Sequence, residues 1–153
     1  MGILGTGPDA GTIGIMEVIL LENAEPGVYS YSNKEQCEDR VHYRLPDDPQ
    51  ARMSAEVALN AYRTLGCRDA GRVDIKLDEN GLPNFMEVNP LAGLHPEHSD
   101  LPILCRLSGI TYSKLIEGIM VSALKRNGLP APVQPSVYPL ETARFLEEDI
   151  RRR

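Results

Sequence analysis

The chain has 153 residues, with 16 lysines and arginines against 22 aspartates and glutamates, so its formal charge is −6. At 42% apolar and 25% charged it has globular composition, enough for one domain with a core and unlike a disordered segment. The acidic balance excludes a generic nucleic-acid binder, which needs surplus Lys and Arg for phosphate, and the longest apolar run, Val18 to Leu21, is far too short to span a bilayer. No basic segment follows Met1, so no secretory leader is expected. Cys37, Cys67 and Cys105 fit neither a disulfide framework nor a zinc site. A reducing, cytoplasmic setting is expected.

In chain order, Ile3-Leu4 and Thr12 to Glu22 read as strands, joined by the turn signal Gly7-Pro8-Asp9-Ala10-Gly11. Gly5-Thr6-Gly7 is no dinucleotide fingerprint, because the third glycine is misplaced and no helix follows. Tyr29 to Glu35 reads as a polar loop or a short strand, and His42 as an ordinary strand residue. Asp48 then caps a helix with Pro49 in its first position. Its expected inward face is Met53, Val57, Ala61 and Leu65, and Gly66 stops it. Arg72 to Leu77 and Phe85 to Asn89 form a hairpin across Asp78 to Gly81. A second helix starts near Asp100 and ends at Gly109. Thr111 caps a third, whose expected apolar face is Leu115, Ile119, Met120, Ala123 and Leu124 before Gly128. Four prolines and a charged terminal helix follow, so residues 1–128 read as one lobe and 129–153 as an appended extension.

The hairpin carries the chemistry. A two-residue turn at Asn80-Gly81 makes paired residue numbers sum to 161. Val73 then faces Val88 and Ile75 faces Met86 on an apolar face. Arg72 faces Asn89, and Asp74 faces Glu87, on the other. Opposed carboxylates destabilise a strand pair unless a cation neutralises them. Two carboxylates and the Asn89 amide make an oxygen-only set, suited to Mg²⁺ or Mn²⁺ rather than zinc. The plainer alternative is a solvated face screened by Arg72 and Lys76. Against it stands the next segment, Asn89 to Pro96, which is rich in turn residues. It leads to a helix start at Ser99-Asp100, where free amides favour an anion. His95, Glu97 and His98 are too weakly patterned for a transition-metal site. Glu17 reads as a strand-edge carboxylate.

At these residues the sequence resembles the carboxyl-terminal ATP-grasp lobe of the D-alanine–D-alanine ligases. The resemblance rests on the run Leu65 to Asp74, on Met86-Glu87-Val88-Asn89-Pro90-Leu91-Ala92-Gly93, on His98-Ser99-Asp100-Leu101-Pro102, and on Gly109 to Leu115. It implies an α+β fold, an antiparallel sheet backed by helices. It also implies an ATP-dependent carboxylate–amine ligase of peptidoglycan precursor synthesis, in which an acyl phosphate is attacked by the amine. Carried over by position, Asp74, Glu87 and Asn89 look like magnesium ligands. Glu87 and Lys34 would also meet the nucleotide. Arg72 and the Gly93 amide would hold the oxyanion, with Arg72 bonded to a carboxylate such as Glu87, and Ser99 would hold the carboxylate of the amine substrate. The partners implied are ATP and small amino acids, with no nucleic acid or membrane. The family's amino-terminal half and phosphate lid have no counterpart here. The isolated chain is therefore expected to be inactive unless that half, or a second copy, completes it. Two residues depart from the family pattern: Glu35 follows Lys34 where an aromatic residue is usual, and Asp100 stands beside Ser99 in the substrate-binding segment where an apolar residue is usual. The rival reading is a non-catalytic nucleotide- or metal-binding module derived from such an enzyme.

Overall fold

In the computed structural model, residues 1–24 and 40–130 are described. Strands β1 (Gly2–Leu4), β2 (Gly11–Gly14), β5 (Ala70–Leu77) and β6 (Pro83–Asn89) form an antiparallel sheet in the order β2-β1-β5-β6. Strands β3 (Glu17–Leu20) and β4 (Val41–Arg44) pair separately. Among the described residues the α-helices are α1 (Pro49–Thr64), α2 (Asp100–Leu107) and α3 (Tyr112–Arg126). This is the expected α+β arrangement. The single strand expected over Thr12–Glu22 is instead two, because its halves serve different sheets. Just before the switch, a Cβ on Gly14 would come within 2.9 Å of the Ser108 hydroxyl and 3.3 Å of Leu104 Cδ1, so a larger residue there would make those side chains shift.

Alternation along β1 and β5 divides two apolar layers between the sheet's faces. Ile3 and Val73 point into a cluster with Ala55, Ala58, Tyr62 and Cys67, covered by α1. Leu4 and Ala70 face the opposite cluster of Leu101, Cys105 and Leu115, from α2 and α3. Val73 and Ile3 are fully buried, a contribution of about 1.5–3 kcal/mol for each such side chain before entropy is charged. Burial pushes the Cys105 thiol up to about 11, so it sits in the core as a neutral apolar group.

Both long helices begin as expected. The Asp48 carboxylate accepts from Ala51 N at 2.8 Å, and the Thr111 hydroxyl from Lys114 N at 3.3 Å. The buried face of α1 differs from the expected one. On α1 the inward stripe is Ala51, Ser54, Ala55, Ala58 and Tyr62, while Met53 and Leu65 are exposed. Small residues let the helix axis approach the sheet closely, and Tyr62 fills the remaining depth. Its hydroxyl donates to Gly5 O at 3.4 Å. On α3, Leu115 is buried and Ile119 packs against its cluster as expected, Gly118 is also buried, and Met120 is exposed against expectation.

The β5–β6 pairing keeps the expected register where it matters: Arg72↔Asn89, Val73↔Val88 and Asp74↔Glu87. Beyond Asp74 the register shifts, and Ile75 faces Phe85, not Met86. The Asp78 side chain causes this. It accepts from both Asn80 N and Leu82 N at 2.9 Å, closing a wider loop than the two-residue turn expected at Asn80-Gly81. A bulge at Met86 then restores the pairing before Glu87. Tyr29 to Glu35, expected as a loop or short strand and carrying Lys34, and residues 131–153, with the expected terminal helix, lie outside the described residues.

Candidate functional site

Strand alternation brings Arg72, Asp74, Glu87 and Asn89 to one face of the hairpin, beside the start of α2. The Arg72 guanidinium is the centre of the cluster. Its Nε and Nη2 donate to the two Asp74 oxygens at 2.8 and 3.0 Å, a bidentate fork, and Nη1 donates to Asp100 Oδ2 at 2.6 Å. Glu87 Oε1 stands 3.9 Å from Nη2. The expected Arg72–Glu87 bond is thus the longest of the three contacts. Asp74, two positions along the same strand face, and Asp100 take the guanidinium instead. Arg72 and Asp100 are mostly covered, with side chains 18% and 10% exposed, whereas Glu87 is 62% exposed. Burial pushes the Asp74 carboxyl up, but hydrogen bonding to Arg72 and its charge outweigh this and hold it below the ordinary range.

Asn89 donates its amide N–H to Glu87 Oε1 at 3.2 Å, so its carbonyl oxygen is not used in that contact. Asp74, Glu87 and Asn89 therefore form a hard-oxygen donor set on adjacent strands, which fits Mg²⁺ or Mn²⁺. No group of three His, Cys, Asp or Glu among the described residues is placed to hold a metal, so any cation here relies on the amide. His95 is otherwise engaged: its Nδ1 accepts from Glu97 N and His98 N at 3.3 Å, and its ring lies 4.7 Å from that of His98.

Gly93 and Ser99 meet. A Cβ at position 93 would sit 2.6 Å from Ser99 Oγ, so the loop closes on the helix start only with glycine there. Ser99 is the residue before α2, and its hydroxyl accepts from His95 N at 3.0 Å rather than capping the helix. First-turn amides of α2 are thus left without that cap and favour an anionic group. Asp100 begins the helix and reaches back to Arg72. Every expected site residue except Lys34, which lies outside the described residues, is linked through this chain of contacts. The Arg72–Asp100 pairing was not legible in sequence: 28 residues separate the partners, and the only signal was an acid where the resemblance leads one to expect an apolar residue.

Of the cluster, Arg72, Asp74 and Asp100 line a cavity of about 540 Å³, and Glu87, Asn89, Gly93 and Ser99 do not; the Glu17–Arg44 ion pair and Met1 are also on its wall. Glu17 and His42 are strand residues of the second sheet, as expected.

Residues 1–121 match the family model described as D-ala D-ala ligase C-terminus. A D-alanine–D-alanine ligase of Bordetella petrii is 33% identical over 134 residues, covering 86% of this chain and 39% of the relative. The D-alanine–D-alanine ligase of Bacillus anthracis superposes with a TM-score of 0.60 at 24% identity, covering 83% of this chain and 40% of that one. Its complex with ATP gives 0.59 at 22% identity. At these identities the superpositions establish the ATP-grasp fold alone. The chain spans about two fifths of the length of these relatives.

Proposed function

The chain belongs to the D-ala D-ala ligase C-terminus family, and on that premise we propose that it forms the catalytic lobe of an ATP- and Mg²⁺-dependent carboxylate–amine ligase. The observation that carries this reading is the cross-strand Asp74–Glu87 pair with Arg72 beside it at the start of α2. Asp74, Glu87 and Asn89 would hold Mg²⁺ or Mn²⁺, which when bound neutralises phosphate charge. Glu87 and Lys34 would contact the nucleotide. Arg72 and the Gly93 N–H would donate to the oxyanion formed when an amine attacks the acyl phosphate, where fixed donors act most strongly. Ser99, Asp100 and the α2 amides would position the amine reactant. Residues 1–128 would make the lobe and 129–153 an extension to it, in a cytoplasmic protein serving peptidoglycan precursor synthesis. Among the described residues no helix is long and apolar enough to cross a membrane.

The second reading, a non-catalytic nucleotide- or metal-binding module, is favoured by one observation: Asp74 and Asp100 already hold Arg72 on both sides. Calorimetry tests what both readings share. Mn²⁺ should bind weakly alone and more tightly with ADP. Outer-shell partners of a metal alone are worth about 10–100-fold in affinity, so Glu87→Gln should weaken Mn²⁺ binding at least tenfold. Equal affinity in wild type and variant would remove Glu87 from the site. Turnover with ATP and amino acids then separates ligase from module.

A further inference from the structure

The loop that joins Gly93 to α2 is knitted together by His95. Its Nδ1 accepts from both Glu97 N and His98 N at 3.3 Å, and its carbonyl oxygen accepts from Ser99 N at 3.1 Å. Its own N–H donates to Ser99 Oγ at 3.0 Å. Pro96, the remaining residue of the loop, has no N–H to give. Every backbone donor from position 95 to position 99 is therefore taken up inside the loop, and the imidazole serves two of them. From outside, the Tyr112 hydroxyl on α3 donates to Leu94 O at 3.0 Å and fixes where the loop begins. A ring nitrogen that accepts carries no proton, so the imidazole proton of His95 sits on Nε2.

We propose that His95 is a positioning residue that acts through Ser99, aiming the Ser99 hydroxyl as a donor at the carboxylate of the amine reactant. The inference rests on the ligase reading above, in which Ser99 meets that reactant. A hydroxyl has one proton to give and two lone pairs to accept with. His95 N occupies one lone pair, and no cap to α2 uses the other, so the O–H is what Ser99 presents. Gly93 closes the opposite side, where a Cβ would lie 2.6 Å from Ser99 Oγ. A carboxylate taken by Ser99 therefore lies close to Gly93, whose N–H the same reading assigns to the oxyanion. Without Nδ1, the Glu97 and His98 amides must turn to water for partners. The closure that seats Ser99 then loses its inner ties. The competing use of the same side chain is its contact with the His98 ring at 4.7 Å, which would make it packing alone.

The test separates the two ring nitrogens. Asparagine places an acceptor oxygen where Nδ1 stands and accepts from backbone amides just ahead of it, whereas glutamine places one where Nε2 stands. The readout is an NMR titration of the full chain with D-alanine, without nucleotide, at about pH 8, where free imidazole is neutral. A hydrogen bond to a charged group is worth on the order of tenfold in affinity, so Ser99→Ala and His95→Ala should each weaken D-alanine binding by about that factor. His95→Asn should bind within about twofold of wild type, and His95→Gln should be as weak as His95→Ala. Added to Ser99→Ala, His95→Ala should cost less than about twofold more, because residues that act through one another are not additive. Imidazole nitrogen shifts should show the Nε2–H tautomer at His95. Equal losses in His95→Asn and His95→Gln would assign the side chain to its ring contact and overturn the proposal. So would additive losses in the double variant, an Nδ1–H tautomer, unchanged affinity in His95→Ala, or failure of D-alanine to bind the wild type. Loss of the ligase reading shows elsewhere, as ADP binding that ignores both Mn²⁺ and Glu87→Gln.

Discussion

Two arginine–aspartate forks stand along β5, one just before the strand and one in its middle, and their charge balance differs. Beside the start of the strand, Asp69 receives Arg126 through Nε and Nη2 at 3.3 and 2.9 Å. It also accepts from the Thr6 and Ser122 hydroxyls at 3.2 and 3.0 Å, while its own N–H donates to Thr6 Oγ1. One anion meets one cation and two neutral donors, and the cluster ties the β1 loop, the start of β5 and α3 together. Asp69 even adopts a φ of 66° to do so, a conformation that short polar side chains tolerate better than most. At Arg72 one guanidinium, with the Met1 ammonium near Asp74 and Asp100, faces three carboxylates. A balanced fork is a brace. An unbalanced one still has charge to answer, which is what a site that meets a cation requires.

The largest expected effect tests the unbalanced fork as chemistry. In a full-length ligase carrying this lobe, Arg72→Lys should lower kcat by about 10²–10³, the usual cost of losing one oxyanion donor, with KM little changed. Lysine supplies charge but no planar fork. Steady-state kinetics and thermal melting of that variant, run side by side, decide the matter: near-normal kcat with a lowered Tm would make Arg72 a brace like Arg126.

A smaller effect should appear at the balanced fork. Asp69→Asn keeps a residue tolerant of positive φ but removes the charge, and should lower Tm by several degrees without touching Mn²⁺ or ADP binding. Asp74→Asn should cost less Tm, since Arg72 keeps Asp100 and two remaining carboxylates repel one another less, yet should abolish cation binding. Scanning calorimetry with Mn²⁺ titration checks both; equal Tm losses would mean that charge balance does not distinguish the two forks.

The smallest effect is in acid. Hydrogen bonding to Arg126, ahead of the opposing effect of burial, holds the Asp69 carboxyl below its ordinary value. A lowered folded-state pKa means that this stabilisation is fully present above the unfolded value, about 3.9. It is lost as pH falls through the folded value. Asp69→Asn should therefore flatten the acid limb of the stability curve below about pH 4, as followed by denaturant midpoints. An unchanged limb would assign the acid sensitivity to other carboxylates.

Much of the site could be read from one-dimensional pattern, because alternation along β5 and β6 is local. It placed Arg72 with Asp74 and Glu87 with Asn89 correctly on one face. What could not be read is set by contacts between distant or small groups. On α1, and at Gly118 of α3, close packing selects alanine and glycine, whereas pattern alone points to large apolar residues such as Met53 and Met120. The hairpin tip was misjudged because the Asp78 side chain, not Asn80-Gly81 alone, shapes the loop. Asp100 was noticed as a departure, but its partner could be found only in three dimensions.

The bulge at Met86 works as an expansion joint. On its tip side, paired residue numbers follow one sum, as in Ile75↔Phe85. On its site side they follow another, as in Asp74↔Glu87. A mismatch of one residue set by the loop is absorbed at Met86, before it can rotate a carboxylate to the wrong face of the sheet. The spacing of the two acids is thereby uncoupled from the length of the loop that joins their strands, so the tip is free to vary while the chemistry stays in register.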